Sequence, residues 1–162
     1  MISSALVRKI GVLVISVVLA GLVWLWIADN SFGTSIKLLP GESSVVRLGK
    51  KVYAVNCASC HGDKLQGQIN WQQRNANGNL PAPPHNETGH TWHHNDKLLF
   101  DLTKKGLKVI AGADYKTNMP TYEDILSDQE IIAVLSFIKS TWPEEIRTRH
   151  DAMNKAMADS EK

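Results

Sequence analysis

Residues 48–62, LGKKVYAVNCASCHG, say more about the architecture of this chain than any other stretch. Val45, Leu48, Val52 and Val55 recur at spacings of three and four, the period of an amphipathic helix. Ser43 or Ser44 stands where an N-cap belongs. The helix runs into Cys57 and Cys60, the only cysteines of the chain, and His61 follows at once. A disulfide of this spacing would close a very small loop and add little stability. A dithiol redox pair of the thioredoxin kind would sit beside a βαβ pattern, and none is visible. A zinc site would need two further ligands at matching spacing.

Outward from this stretch the chain reads as helices joined by long loops. Residues 62–95 are rich in Gly, Asn, Gln, Pro and His and carry no helical stripe. A loop this long inside a compact domain is usually functional or disordered. Asn95 or Asp96 caps a short helix through Leu98, Leu99 and Leu102. Gly106 stops it, and Lys104 and Lys105 suit the negative end of its dipole. Ser127-Asp128-Gln129-Glu130 forms a capping box for the clearest helix, with Ile131, Leu135 and Ile138 on its apolar face and Ile132 and Val134 beside them. Pro143 predicts a stop near Thr141. No alternating strand pattern and no internal repeat is present, so residues 45–142 read as an all-α domain. Three short helices in roughly 100 residues make a thin core, which a bound group would have to fill.

Cys-x-x-Cys-His is the covalent attachment sequence for c-type haem. Each thiol can add to one vinyl group, and the adjacent histidine, His61, is then held under the iron as proximal ligand. Between residue 28 and Trp142 there is one methionine, Met119, 58 residues after His61 and directly before Pro120. A lone methionine is ordinarily a core residue. Met119 instead sits in a non-periodic loop, which favours it as distal ligand; such ligation raises the iron potential and closes the sixth position to small molecules.

The chain resembles a membrane-anchored, monohaem class I cytochrome c over about residues 45–142. LGKKVYAVNCASCHG is similar to the first helix and haem motif of that family, and SDQEIIAVLSFIKSTW to its last helix. The resemblance implies a cytochrome c fold, three to five short helices wrapped around one covalent haem c, and one-electron transfer through the haem edge. It also implies that Gly49 and Tyr53 meet the last helix, with Phe137 as aromatic partner. Gly49 would permit a close approach of two backbones that a larger side chain forbids. In this family a proline carbonyl after the motif accepts the proximal imidazole's Nδ1–H; Pro81, Pro83 and Pro84 are available here, with Pro83 preferred. The insert 66–80 departs from the simpler family pattern and reads as a surface loop.

Four of the six histidines, His85, His90, His93 and His94, fall within ten residues. They could serve a copper or zinc site, or give bis-histidine ligation. With Cys57, Cys60, His61 and Met119 already accounting for the haem, the cluster reads better as a polar wall of the haem crevice. Trp92, or one of these histidines, would then hydrogen-bond a haem propionate.

Before the domain, residues 10–28 form a 19-residue run without a charge, preceded by Arg8 and Lys9 and ending at Trp24 and Trp26. As a helix it would cover roughly the 30 Å apolar thickness of a bilayer. The alternative is a cleaved signal peptide, whose apolar region is usually shorter. The charge bias predicts residues 1–9 in the cytoplasm, an anchor at 10–28 and a tether at 29–44. This expectation is of a single-pass protein of the bacterial inner membrane with its haem domain facing the periplasm. The tail 143–162 reads as a charged, solvated or frayed helix. The net charge of +2 leaves no field for nucleic acid. Lys104, Lys105, Lys108 and Lys116 suggest a patch for an acidic redox partner, such as a terminal oxidase or reductase, although solvated lysines explain them as simply.

The expected function is therefore one-electron carriage in a respiratory chain, with no small-molecule substrate. The alternatives are a cytochrome subunit of a larger membrane redox complex, and a haem enzyme or gas sensor with a labile sixth ligand.

Overall fold

The computed structural model describes Gly21 and residues 36–160. The helices are α1 (Ser43–Asn56), α2 (Ala58–His61), α3 (Asp96–Lys105), α4 (Lys108–Ala111), α5 (Asp128–Ser140) and α6 (Glu144–Ser160), with a 3-10 turn at Thr91–His93. There is no strand among the described residues.

The frame is the crossing of α1 and α5. A Cβ built on Gly49 would run into the carbonyl oxygen of Ala133, and would lie 2.5 Å from the Ala133 carbonyl carbon and 2.8 Å from Phe137 Cβ. Only a glycine lets these backbones approach so closely. One turn on, the Tyr53 and Phe137 rings meet with centroids 5.5 Å apart. The buried face of α1 is thus Gly49, Val52 and Tyr53. The hydrophobic stripe expected from spacing is offset from it: Leu48 and Val55 are exposed. The closest backbone approach, rather than the count of apolar residues, sets which side faces inward. The expected serine cap is also absent, since α1 begins after Glu42 without a side-chain cap.

The other helix signals hold. Asn95 accepts from the Leu98 N–H at 2.8 Å. Gly106, at φ +85°, closes α3. Ser127 and Glu130 form the reciprocal capping box, and Thr141 caps the end of α5. Ile131, Val134, Leu135 and Ile138 are buried in the core.

Two segments are more ordered than the sequence suggests. In the stretch expected as tether, Leu38 is buried and its N–H donates to Asp96 Oδ2 at 2.8 Å, while the Leu39 N–H donates to Ser136 Oγ at 2.9 Å. In the tail, the continuous helix α6 buries His150 completely. His150 Nε2–H donates to the His94 carbonyl at 2.8 Å, and its Nδ1 accepts from Asn154 at 3.1 Å. Lys139, 2% exposed, reaches Asp151 at 2.6 Å and faces Asp96 at 3.8 Å. Asn154 donates to Asp96 at 3.1 Å. A buried ammonium is retained only where partners of this kind surround it.

The expected membrane placement needs correction. Residues 10–28 lie outside the described residues apart from Gly21, and no helix among the described residues is long and apolar enough to cross a membrane. The longest of them, α6, has 17 residues, and charges are spread along it from Glu144 to Asp159. The assignment to a bacterial inner membrane with a periplasmic haem domain is overturned on this finding.

Candidate haem site

The site begins where α1 ends. Cys57 is the residue between α1 and α2, and its carbonyl accepts from Cys60 N–H at 3.1 Å and His61 N–H at 2.9 Å. This helical turn places positions i, i+3 and i+4 on one face. No disulfide joins the two cysteines; Cys57 is half-buried and Cys60 exposed. Burial pushes the Cys57 thiol up to about 11.

His61 is buried, and its Nδ1 lies 2.8 Å from the Pro83 carbonyl. A carbonyl can only accept, so Nδ1 carries the proton and Nε2 keeps its lone pair for a metal. Burial holds the imidazole below its ordinary pKa, against the opposing effect of the Pro83 bond, so the neutral, ligating form is favoured. Of the three candidate prolines, Pro83 makes this contact. The turn beneath is fixed from α1, where the Tyr53 hydroxyl donates to Gly62 O at 2.9 Å. The Tyr122 hydroxyl donates to Asn56 O at 2.7 Å, joining the end of α1 to the segment that follows Met119.

Met119 lies in a loop between α4 and α5, half-buried, packed against the same hydrophobic cluster as Cys57 and Trp92. Its N–H donates to Thr117 Oγ1 at 3.0 Å.

Trp92 supplies the sharpest test of fit. Its indole Nε1 is buried and has no hydrogen-bond partner among the described residues. Such an orphan donor costs about 1–3 kcal/mol unless an acceptor reaches it. The His93 ring stacks on the indole at 3.7 Å, and the Arg149 guanidinium lies over it at 5.4 Å from the centroid. A haem carboxylate is an acceptor of the right kind for this position. The residues present therefore fit a haem.

The four histidines do not gather into one site, although the His90 and His94 rings meet edge to face at 5.4 Å. The His85 ring stacks on that of His61, centroids 4.0 Å apart, with its Nδ1 2.8 Å from Thr91 Oγ1. His90 stacks on Trp71, and His93 on Trp92. His94 meets α6 through its carbonyl. No group of three or more His, Cys, Asp or Glu among the described residues is arranged to hold a metal ion.

The lysine patch is half neutralised. Lys104 pairs with Asp128 at 2.6 Å and Lys105 with Asp101 at 3.0 Å. Lys108 and Lys116 are exposed and form no ion pair among the described residues.

Of two further side chains at the site, the sequence placed one only within a group and gave no signal for the other. His85 was one of four crowded histidines, and only the fold selects it as the ring against His61. Arg149 belongs to a tail whose pattern was too polar to predict docking.

A Cys-x-x-Cys-His turn, an imidazole aimed by a carbonyl and an unsatisfied indole N–H inside a helical shell define a haem protein. The chain belongs to the cytochrome c family: the family model described as Cytochrome c matches residues 46–142. No curated protein and no solved structure matches it. Its cofactor is a covalently attached c-type haem, and its role is haem-based electron transfer with redox protein partners.

Proposed function

We propose that this chain is a one-electron carrier whose haem is attached through Cys57 and Cys60 and ligated axially by His61 and Met119. The observation that carries the reading is the 2.8 Å contact between His61 Nδ1 and Pro83 O, which aims Nε2 and fixes its tautomer. When bound, the haem supplies a reversible ferric/ferrous couple. The protein does the rest by holding still. Pro83 orients the proximal ring and raises its basicity, Met119 closes the opposite position, and the Tyr53 and Tyr122 bonds keep the turn that bears the cysteines in place.

Trp92 would offer its buried N–H to a haem carboxylate, beside the positive charge of Arg149. An acidic redox partner docks through Lys108 and Lys116, the two patch lysines without an internal carboxylate. Such steering gives association rates that fall with ionic strength.

The test is ligand access. The native ferrous protein should bind carbon monoxide slowly and weakly, and Met119→Ala should bind it at once. Rapid binding by the native protein would reject the carrier in favour of a haem enzyme or gas sensor.

A further inference from the structure

The insert 66–80 joins the two halves of the haem site. At its stem, Gly67 N–H donates to the His61 carbonyl at 2.8 Å and Gln68 N–H to the Ala82 carbonyl at 2.8 Å. The Gln68 side chain accepts from Ala82 N–H at 2.9 Å in return. Gly67 has φ +67°, and a Cβ there would lie 2.6 Å from the Pro83 carbonyl carbon. The stem is thus seated against both His61 and the proline that aims it.

The far end closes on itself through Asn75. Its N–H donates to Asn79 O at 2.9 Å, and its side chain accepts from Asn77 N–H at 3.0 Å and Asn79 N–H at 3.1 Å. Arg74 donates to Gly78 O at 2.6 Å. This shaped tip then reaches the loop that carries Met119. Asn79 Nδ2 donates to Asn118 Oδ1 at 3.1 Å, next in sequence to Met119. The Arg74 guanidinium lies over the Tyr115 ring at 5.3 Å. Gly78, at φ +82°, leaves room for the Lys116 side chain.

We propose that the insert is a brace that couples the His61 turn to the Met119 loop and holds the methionine sulfur in place against competing ligands. The inference rests on Met119 being the distal ligand. Outward movement of the loop that carries Met119 would break the Asn79–Asn118 and Arg74–Tyr115 contacts, so these contacts oppose it. Each is exposed and individually modest, in the range typical of a single hydrogen bond or a surface cation–π contact. Their effect is therefore read in the exchange equilibrium of the sixth ligand, and not in gross stability.

The experiment uses the ferric holoprotein. Imidazole is titrated while the methionine-to-iron charge-transfer band in the red is followed. In Arg74→Ala/Asn79→Ala the band should be present before titration, and imidazole should displace the sulfur at a concentration at least threefold lower than in the native protein. Arg74→Lys should restore part of the native value. Tyr115→Ala should lower the displacement concentration as well, and combining it with Arg74→Ala should add less than the sum of the two, since both remove the same ring contact. A displacement concentration within threefold of native in the Arg74→Ala/Asn79→Ala protein overturns the brace while leaving Met119 ligation intact. Absence of the band from the native protein overturns both. Thermal unfolding of each variant, expected within a few degrees of native, separates loop release from misfolding.

Discussion

Replacing Gly49 with alanine tests the frame on which the haem site hangs. The new methyl would sit 2.5 Å from the Ala133 carbonyl carbon and 2.8 Å from Phe137 Cβ, where ordinary contact begins at 3.4 Å. The obstruction is backbone, so no rotamer change relieves it; α1 and α5 must part by about 1 Å, an overpacking that typically costs about 1–3 kcal/mol. Parting also loosens the Tyr53–Phe137 pair, and such pairs contribute about 0.5–1.5 kcal/mol. Against this, alanine improves helix propensity by about 1 kcal/mol. Together these give a net loss of about 0.5–3.5 kcal/mol, and a rigid carbonyl as the obstacle favours the upper half of that range. Urea unfolding of the holoprotein, followed by far-ultraviolet circular dichroism and by the Soret band, measures it. Gly41→Ala is the matched control: nothing lies within 4 Å of its Cβ position, and its stability should stay within about 0.5 kcal/mol of native. A Gly49→Ala protein as stable as that control would refute the close crossing.

Asp96→Asn should destabilise the fold by about 3 kcal/mol in thermal or urea unfolding, because it leaves the Lys139 ammonium buried with only the more exposed Asp151 as counter-charge. Burial, with Lys139 adding to it, holds His150 below its ordinary value of 6.5, against opposing effects from the His94 carbonyl, Asp96 and Asp151. The unfolded chain then takes up a proton that the folded one refuses, so stability should fall as pH drops below about 6.5. In His150→Gln that part of the slope should vanish, whatever the change in absolute stability; an unchanged slope in urea titrations at stepped pH would count against a neutral, buried His150. Trp92→Phe removes the orphan donor and should raise the propionate pKa, moving the break in a plot of midpoint potential against pH upward. An unmoved break in spectroelectrochemical titration would remove Trp92 from the propionate site.

Local rules were readable wherever a residue acts on its immediate neighbours. Asn95, the Ser127–Glu130 box and Gly106 are satisfied by backbone groups within a few positions, and each ends a helix where expected. Cys57, Cys60 and His61 are adjacent, so one turn suffices to bring them together. The α1 stripe failed because apolar spacing describes a helix in isolation, whereas its partner's backbone at Gly49 selects the face. Pro83 could be preferred but not singled out among three prolines, since the choice depends on how 22 residues fold back to His61. The docked tail was invisible for a related reason. It buries His150, which reads as a polar residue, and it covers the ammonium of Lys139 in α5, which reads as solvent-facing until Asp96 and Asp151 arrive from two other segments. The sequence likeness rests on residues 48–62 and the last helix, so it carried no information about the insert between them or the tail beyond them.

The tail also bears on where this protein can be cut. The family match ends at residue 142, and a designer seeking a minimal or transplantable version would trim there. Doing so would discard the partners of Lys139, Asp96 and the His94 carbonyl in one step, and it would strip Arg149 from the face of Trp92. The unit that inheritance repeats is thus smaller than the unit that folds. A shortened chain should need a neutral residue in place of Lys139 before it could be used as a portable module.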